Sequence, residues 1–382
     1  MREHWTLDPT ITFLNHGSYG ACPKVVQERQ QALRAALEAE PVRFMSVELP
    51  PLVEAARTRL AQLIGAPGPE IAFVRNATTG VNCALYSFPF RSGDEVLVTD
   101  HEYNACRNAL DRRSRDLGVT VRPLRLPFPL RSKDQITAAI LAAVTSKTRL
   151  LLLDHVTSPS GLVLPVEDIV PALKARGVEC IIDGAHAPGM VQLSLAKLGA
   201  AYYTGNCHKW ICAPKGTAFL RVRPDLIDSA RPVVTSHGMN AAPGAESRFL
   251  QEFDWTGTDD YTGWATLPVA LDFLDKLMPG GHAAVMEANH AKALAARLII
   301  QETLGASTLA PDDMIGTMAA IQLPDSPATA TLGARLMKDH KIEVPITGFP
   351  DWPHQMVRVS AMPYNALAEY ERLARALKTI FA

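Results

Sequence analysis

An α/β fold, with a mostly parallel sheet covered by helices on both faces, is predicted by three features of this 382-residue chain. From about residue 70 to 223, short and nearly continuous aliphatic runs alternate with helical stretches, the pattern of strands buried on both sides. After Asp260 the order of elements changes, with long helices set among a few strands. Length adds a prior of two or three units at about 150 residues each.

The elements follow in order. Ile71–Val74 reads as a strand, with a helix opening near Asn76. Glu95–Thr99 precedes a polar helix over Asn104–Leu117, and Val119–Leu126 is the next strand. Its Pro-rich end, Pro123–Pro129, reads as a loop or strand edge. Ile136–Val144 is an aliphatic helix, Arg149–Val156 a buried strand, Val166–Lys174 a helix and Glu179–Asp183 another buried strand. Ala201–Thr204 and Thr217–Val222 complete the series. Beyond it, Thr266–Leu277 is a helix broken by Pro279-Gly280-Gly281, and Ala283–Leu304 is a long Ala-rich helix. Met318–Leu323, Ile342–Ile346 and Met356–Ser360 read as strands, with helices over Thr329–Lys338 and Leu367–Phe381. The expected division is an N-terminal arm over 1–20, a large domain over 21–262 and a smaller C-terminal α/β domain over 263–382.

Composition narrows function. Thirty-eight Lys and Arg against 39 Asp and Glu leave a net charge of −1, without the basic excess of a nucleic-acid footprint. No apolar run approaches the roughly 18 residues of a membrane span, and residues 1–9 carry no apolar secretory signal. Six sparse cysteines suit reduced thiols and a cytoplasmic location.

Three motifs carry chemistry. In Cys180-Ile-Ile-Asp183-Gly-Ala-His186, an aspartate follows an apolar strand and so stands at the ligand-facing end of the sheet. A buried carboxylate without a cationic partner costs roughly 3–5 kcal/mol, so a cation should meet it unless it merely caps the next turn. Neither G-x-x-x-x-G-K-[ST] nor any G-x-G occurs, which removes both nucleotide fingerprints and most support for a nicotinamide dehydrogenase. A protonated pyridine nitrogen is the other well-known partner. In Tyr203-Thr-Gly-Asn206-Cys-His208-Lys209-Trp210, the lysine follows Asp183 by one crossover and one strand, at the same sheet end, where a lowered pKa would suit Schiff-base chemistry. In Arg75-Asn76-Ala-Thr78-Thr79-Gly80, a helix start with two hydroxyls makes an anion site.

The ordered spacing of N-A-T-T-G, D-G-A-H-A and N-C-H-K-W resembles the class V aminotransferase family. Further similarity lies in Leu14-Asn15-His16-Gly-Ser-Tyr-Gly20, Asp154-His-Val-Thr-Ser158-Pro-Ser-Gly161, Ile342-Glu-Val-Pro345, the R-x-S of Arg358 to Ser360, and Tyr364-Asn365. These resemble the isopenicillin N epimerase-like branch over nearly the whole chain. The resemblance implies a fold-type I scaffold of the pyridoxal 5'-phosphate (PLP)-dependent transferases, with a seven-stranded sheet and a smaller C-terminal domain. It implies a Schiff base on Lys209, the pyridinium proton held by Asp183, and His186 beside the ring oxygen. Thr78, Thr79, His208 and Asn206 would bind the phosphate, and Tyr103 would stack on the ring. Ser158 stands where many relatives have Asn. Gly257 and Thr258 are similar to an element that contacts the phosphate across a homodimer interface. Arg358 would take the substrate α-carboxylate, and Asn15 and His16 would reach the substrate side, although His16 reads equally as a packed loop histidine. No metal is implied.

The expected activity is PLP chemistry at an amino-acid α-carbon: proton abstraction, then epimerisation. The alternatives are C–S β-elimination of the cysteine desulfhydrase kind and transamination on the same scaffold. A non-catalytic PLP-binding regulator is the remote alternative, because the motifs begin at residue 14. No cysteine follows Cys212, so persulfide transfer through a thiol near Arg358 is disfavoured.

Overall fold

The structure, a computed structural model, describes residues 1–242, 247–350 and 352–382. The chain opens with β1 (Thr12–Phe13) and two long helices, Lys24–Ala39 and Leu49–Ile64, which the sequence patterns did not mark. Seven strands then build the main sheet: β2 (Ile71–Val74), β3 (Glu95–Thr99), β4 (Thr120–Leu124), β5 (Thr148–Asp154), β6 (Glu179–Asp183), β7 (Tyr202–Asn206) and β8 (Ala218–Val222). Their spatial order is β2-β8-β7-β6-β5-β3-β4. β8 runs antiparallel to β7 and β2, and the other neighbours pair in parallel. The short 207–217 link holds no helix, and a parallel return needs a crossover of about a dozen residues or more.

Side chains alternate between the faces of a strand. Phe73, Leu97, Leu151, Ile182 and Phe219 enter one core, and Ala72, Val96, Leu150, Ile181 and Leu220 the other. Each fully buried leucine of β5 contributes about 1.5–3 kcal/mol, which makes this strand a rigid platform for Asp154 at its end. β4 lies at the sheet edge, where Pro123 is tolerated because no neighbour needs its missing N–H.

Downstream, β9 (Met318–Gln322), β10 (Ile342–Glu343), β11 (Ile346–Thr347) and β12 (Met356–Ser360) appear. β11, β12 and β9 form an antiparallel sheet, whose core includes Ile300, Ile321, Val357, Val359 and Leu373. The single strand expected over Ile342–Ile346 is instead two. β10 pairs in parallel with β1, while β11 pairs with β12. Pro345 divides them: it has no N–H for a ladder, and its carbonyl accepts the Arg358 N–H at 3.1 Å. The helix expected from Thr329 starts as a 3-10 turn over Pro327–Thr331 and becomes α-helical over Leu332–His340.

The C-terminal R-x-S and Y-N residues clasp the arm. The Leu14 carbonyl accepts the Ser360 N–H at 2.9 Å, Gly17 N–H donates to Ser360 Oγ at 3.1 Å, and the Asn365 amide donates to the Phe13 carbonyl at 3.0 Å.

Candidate active site

The carboxyl ends of the parallel strands converge on one cavity of about 340 Å³. Asp154 and Asp183 are the last residues of β5 and β6 and face each other in register. Asn206 ends β7, and its side-chain oxygen accepts the N–H of Ala77 at 2.8 Å, the first residue of helix Ala77–Ser87. Asn76 caps that helix through the Thr79 N–H at 2.8 Å. Gly80 lets the helix seat on the sheet, because a Cβ there would stand 2.1 Å from Thr204 Oγ1. The helix N-terminus, with its positive dipole end and the hydroxyl of Thr78, is thereby placed at the cavity as an anion site.

Arg75, Thr78, Tyr103, Asp154, Ser158, Asp183, His186, Asn206, His208 and Lys209 all line this cavity. Lys209 Nζ lies 2.9 Å from His186 Nε2. Burial, then the nearby Arg358 charge, lowers the Lys209 amine to about 7. Burial and the lysine also hold His186 well below its usual value, hence neutral. His208 sits against the Thr217 carbonyl at 3.1 Å, and burial lowers it to about 4. Asp183 accepts the Cys106 thiol at 3.1 Å and the Ala185 N–H at 2.9 Å. Burial raises its pKa, and both hydrogen bonds and Lys209 oppose that rise. The site is thus an acid and an amine in one cleft, with a helix start suited to an anion beside them.

Arg358 is buried behind Ser158. Its guanidinium donates to the Ser158 carbonyl and, at 3.4 Å, to Ser158 Oγ, while Nε has no partner among the described residues. Burial lowers its pKa to about 10. Tyr103 is half exposed at the cavity edge.

Other expected residues stand apart from the cavity wall. Thr79 turns its hydroxyl to Asn76 Oδ1 at 3.1 Å, so Thr78 alone of the two lines the cavity. His16 is packed: its ring nitrogens meet Tyr364 Oη at 2.8 Å and the Lys209 carbonyl at 3.0 Å, and burial lowers it to about 3. It holds the backbone that carries the lysine, and both nitrogens are engaged within the protein. Asn15 donates to Glu343 at 3.0 Å and accepts from Ser18 Oγ at 2.6 Å. Gly257 and Thr258 lie outside this chain's cavity, with Thr258 exposed. The neighbouring Asp259 forms an ion pair with Arg75.

The structure adds Glu102, Cys106, Asp154 and Arg75 to the site. Asp154 was open to the reasoning that found Asp183, since it too ends an aliphatic strand. Glu102 and Cys106 carry no pattern, because a turn and a helix start bring them in.

A half-buried lysine and a buried aspartate at the carboxyl edge of a mostly parallel sheet fit the class of fold-type I enzymes. Comparison with known proteins agrees. The aminotransferase class-V family matches residues 11–373. An isopenicillin N epimerase of Amycolatopsis lactamdurans is 38% identical over 99% of this chain and 97% of its own. An L-cysteine desulfhydrase of Arabidopsis thaliana is 28% identical over 96% of this chain and 87% of its own. A solved mutant of C-DES, with glycine covalently linked to its PLP cofactor, shares the fold at a TM-score of 0.85, with 21% identity and 99% of both chains covered. The chain belongs to the aminotransferase class-V family of PLP-dependent enzymes.

Proposed function

We propose that this enzyme acts at the α-carbon of an amino acid with PLP held between Lys209 and Asp183, and that its reaction is epimerisation. The observation that carries the reading is the placement of that amine and that acid in one cavity beside the start of helix Ala77–Ser87. The residues present fit the cofactor. Asp183 suits a pyridinium proton, and the neutral Lys209 amine suits an aldehyde. The helix N–H groups with Thr78, Asn206 and His208 suit a phosphate, and Tyr103 suits a ring face. When bound, the cofactor supplies an electron sink for charge left at the substrate α-carbon.

The chain's own residues do the rest. Arg358 orients the substrate through its α-carboxylate, which a planar guanidinium holds by two parallel hydrogen bonds. As a free amine Lys209 Nζ would take the α-proton as general base, for which a pKa of about 7 is matched to neutral pH. Neutral His186, at 2.9 Å, orients that amine. Return of a solvent-derived proton to the opposite face would give the epimer.

Similarity to isopenicillin N epimerase supports this reaction, and similarity to L-cysteine desulfhydrase supports β-elimination as the second reading. Incubation with single amino acids in D₂O decides between them. Deuterium at Cα with loss of chirality is expected. Pyruvate with sulfide release selects the lyase, and a pyridoxamine spectrum selects transamination. Persulfide transfer is disfavoured, because no cysteine follows Cys212 and burial raises the thiols of Cys207 and Cys212.

The assembly we assign is a homodimer in which Gly257 and Thr258 complete the phosphate site of the opposite chain. Thr258's exposure, and its position next to a residue paired with cavity-lining Arg75, support this. No described helix is long and apolar enough to cross a membrane. All six cysteines are free, which supports assignment to the reducing cytoplasm.

A further inference from the structure

Asp183 has two further buried carboxyl groups near it, Asp154 on the cavity wall and Glu102 behind it. Glu102 follows β3 in a turn closed by its own N–H on the Thr99 carbonyl at 3.3 Å. Its side chain is about nine-tenths buried, and neither carboxyl oxygen has a hydrogen-bond partner among the described residues. A Glu102 oxygen, Cys106 Sγ and an Asp183 oxygen lie within 4.8 Å of one another. Asp154 stands beside Asp183 in register, with its own Oδ2 unpartnered.

The groups facing Glu102 decide its charge. Asp183 and Asp154 both oppose ionisation. The Tyr103 amide and Arg107 favour it, but Arg107 is tied to Asp111 at 2.9 Å. Lys209 faces Asp183 and Asp154. Two carboxylates in a buried site share one charge when only one of them is hydrogen-bonded in its ionised form. Here that one is Asp183, which accepts the Cys106 thiol and the Ala185 N–H; Glu102 has the Tyr103 amide nearby but outside hydrogen-bond geometry.

We propose that Glu102 is a positioning residue kept as a neutral carboxylic acid, a stored proton that leaves Asp183 the ionised carboxylate of this pair. Its function rests on the PLP reading above: within the Glu102–Asp183 pair a single carboxylate would then be left for a pyridinium proton. Burial and the Asp183 charge both raise Glu102's pKa, in keeping with that geometry.

The first arm of the test needs no cofactor. In apoprotein labelled with ¹³C at the glutamate carboxyl, infrared spectra at about pH 8 should show the C=O stretch of one protonated glutamate. Glu102→Gln should remove that signal. The same variant should be more stable than wild type at about pH 8. Its advantage should shrink as pH falls towards 4.5, the ordinary glutamate value, because the wild type alone must keep a proton that its unfolded chain releases. A merely structural, ionised Glu102 gives the reverse order of stability.

In the second arm, PLP is added. Glu102→Gln should keep the visible band of the bound cofactor, with a dissociation constant within about threefold of wild type, whereas Asp183→Asn should weaken it by more than about tenfold. No protonated-glutamate signal in the wild type, lower stability of Glu102→Gln at about pH 8, or a divalent metal ion captured by the three ligand atoms in apoprotein each overturns the proposal. The infrared arm stands on wild type if the variant fails to fold. A wild type that takes up no PLP overturns the PLP reading while leaving the first arm intact.

Discussion

The Lys209 amine can be titrated through the cofactor it captures. An ordinary lysine, near 10.4, is about 0.1% neutral at pH 7.5, whereas one at about 7 is about three-quarters neutral, a gain of several hundredfold in the nucleophilic form. The structure attributes the lowering first to burial and then to Arg358. Arg358→Met removes that cation at similar volume. The assay is stopped-flow absorbance of PLP capture by apoenzyme from about pH 5 to 10. Wild type should show a midpoint of about 7. Arg358→Met should move it upward by about one unit, with capture about tenfold slower below the midpoint. A wild-type midpoint near 10 would refute the claim that the fold holds this amine neutral, and an unmoved midpoint in the variant would refute the share given to Arg358.

Asp183→Asn should keep the fold, by circular dichroism and Tm, and lose most turnover; full activity would mean that the ring nitrogen has another partner. Arg358→Ala should lower kcat/KM for carboxylate-bearing substrates by about 100-fold, as loss of a bond worth about 3 kcal/mol, read in steady-state kinetics; a fall in Tm alone would make the arginine structural. Gly80→Ala should cost about 1–3 kcal/mol in denaturant unfolding, because its Cβ would strike Thr204, and unchanged stability would show that the helix has room to shift.

Much of the main sheet was legible because its strands are aliphatic on both faces, and each run could be bounded by the polar residue that ends it. That logic put Asp183 and Lys209 at one sheet end, where both line the cavity, because position along a strand fixes the sheet end. β8's reversed direction was not legible, since direction depends on whether a link holds a crossover helix. The split at Pro345 was foreseeable, because proline cannot donate to a ladder, yet the aliphatic run around it reads as one strand. Lys24–Ala39 and Leu49–Ile64 lie outside the alternation that marked the rest. His16 shows the limit for side chains. Its motif was visible, but whether it faces substrate or protein depended on Tyr364, 348 residues away. Glu102 was hidden because its surroundings come from β5, β6 and helix Asn104–Leu117, contacts that no local pattern records.

Borohydride reduction of the PLP-loaded enzyme, followed by peptide mass spectrometry, tests the assignment of the cofactor's attachment point most directly. A phosphopyridoxyl group on the peptide containing Lys209, and absent from Lys209→Ala, is the expected result. The same mass on a different lysine, or no modified peptide from a protein that still binds PLP, would contradict it.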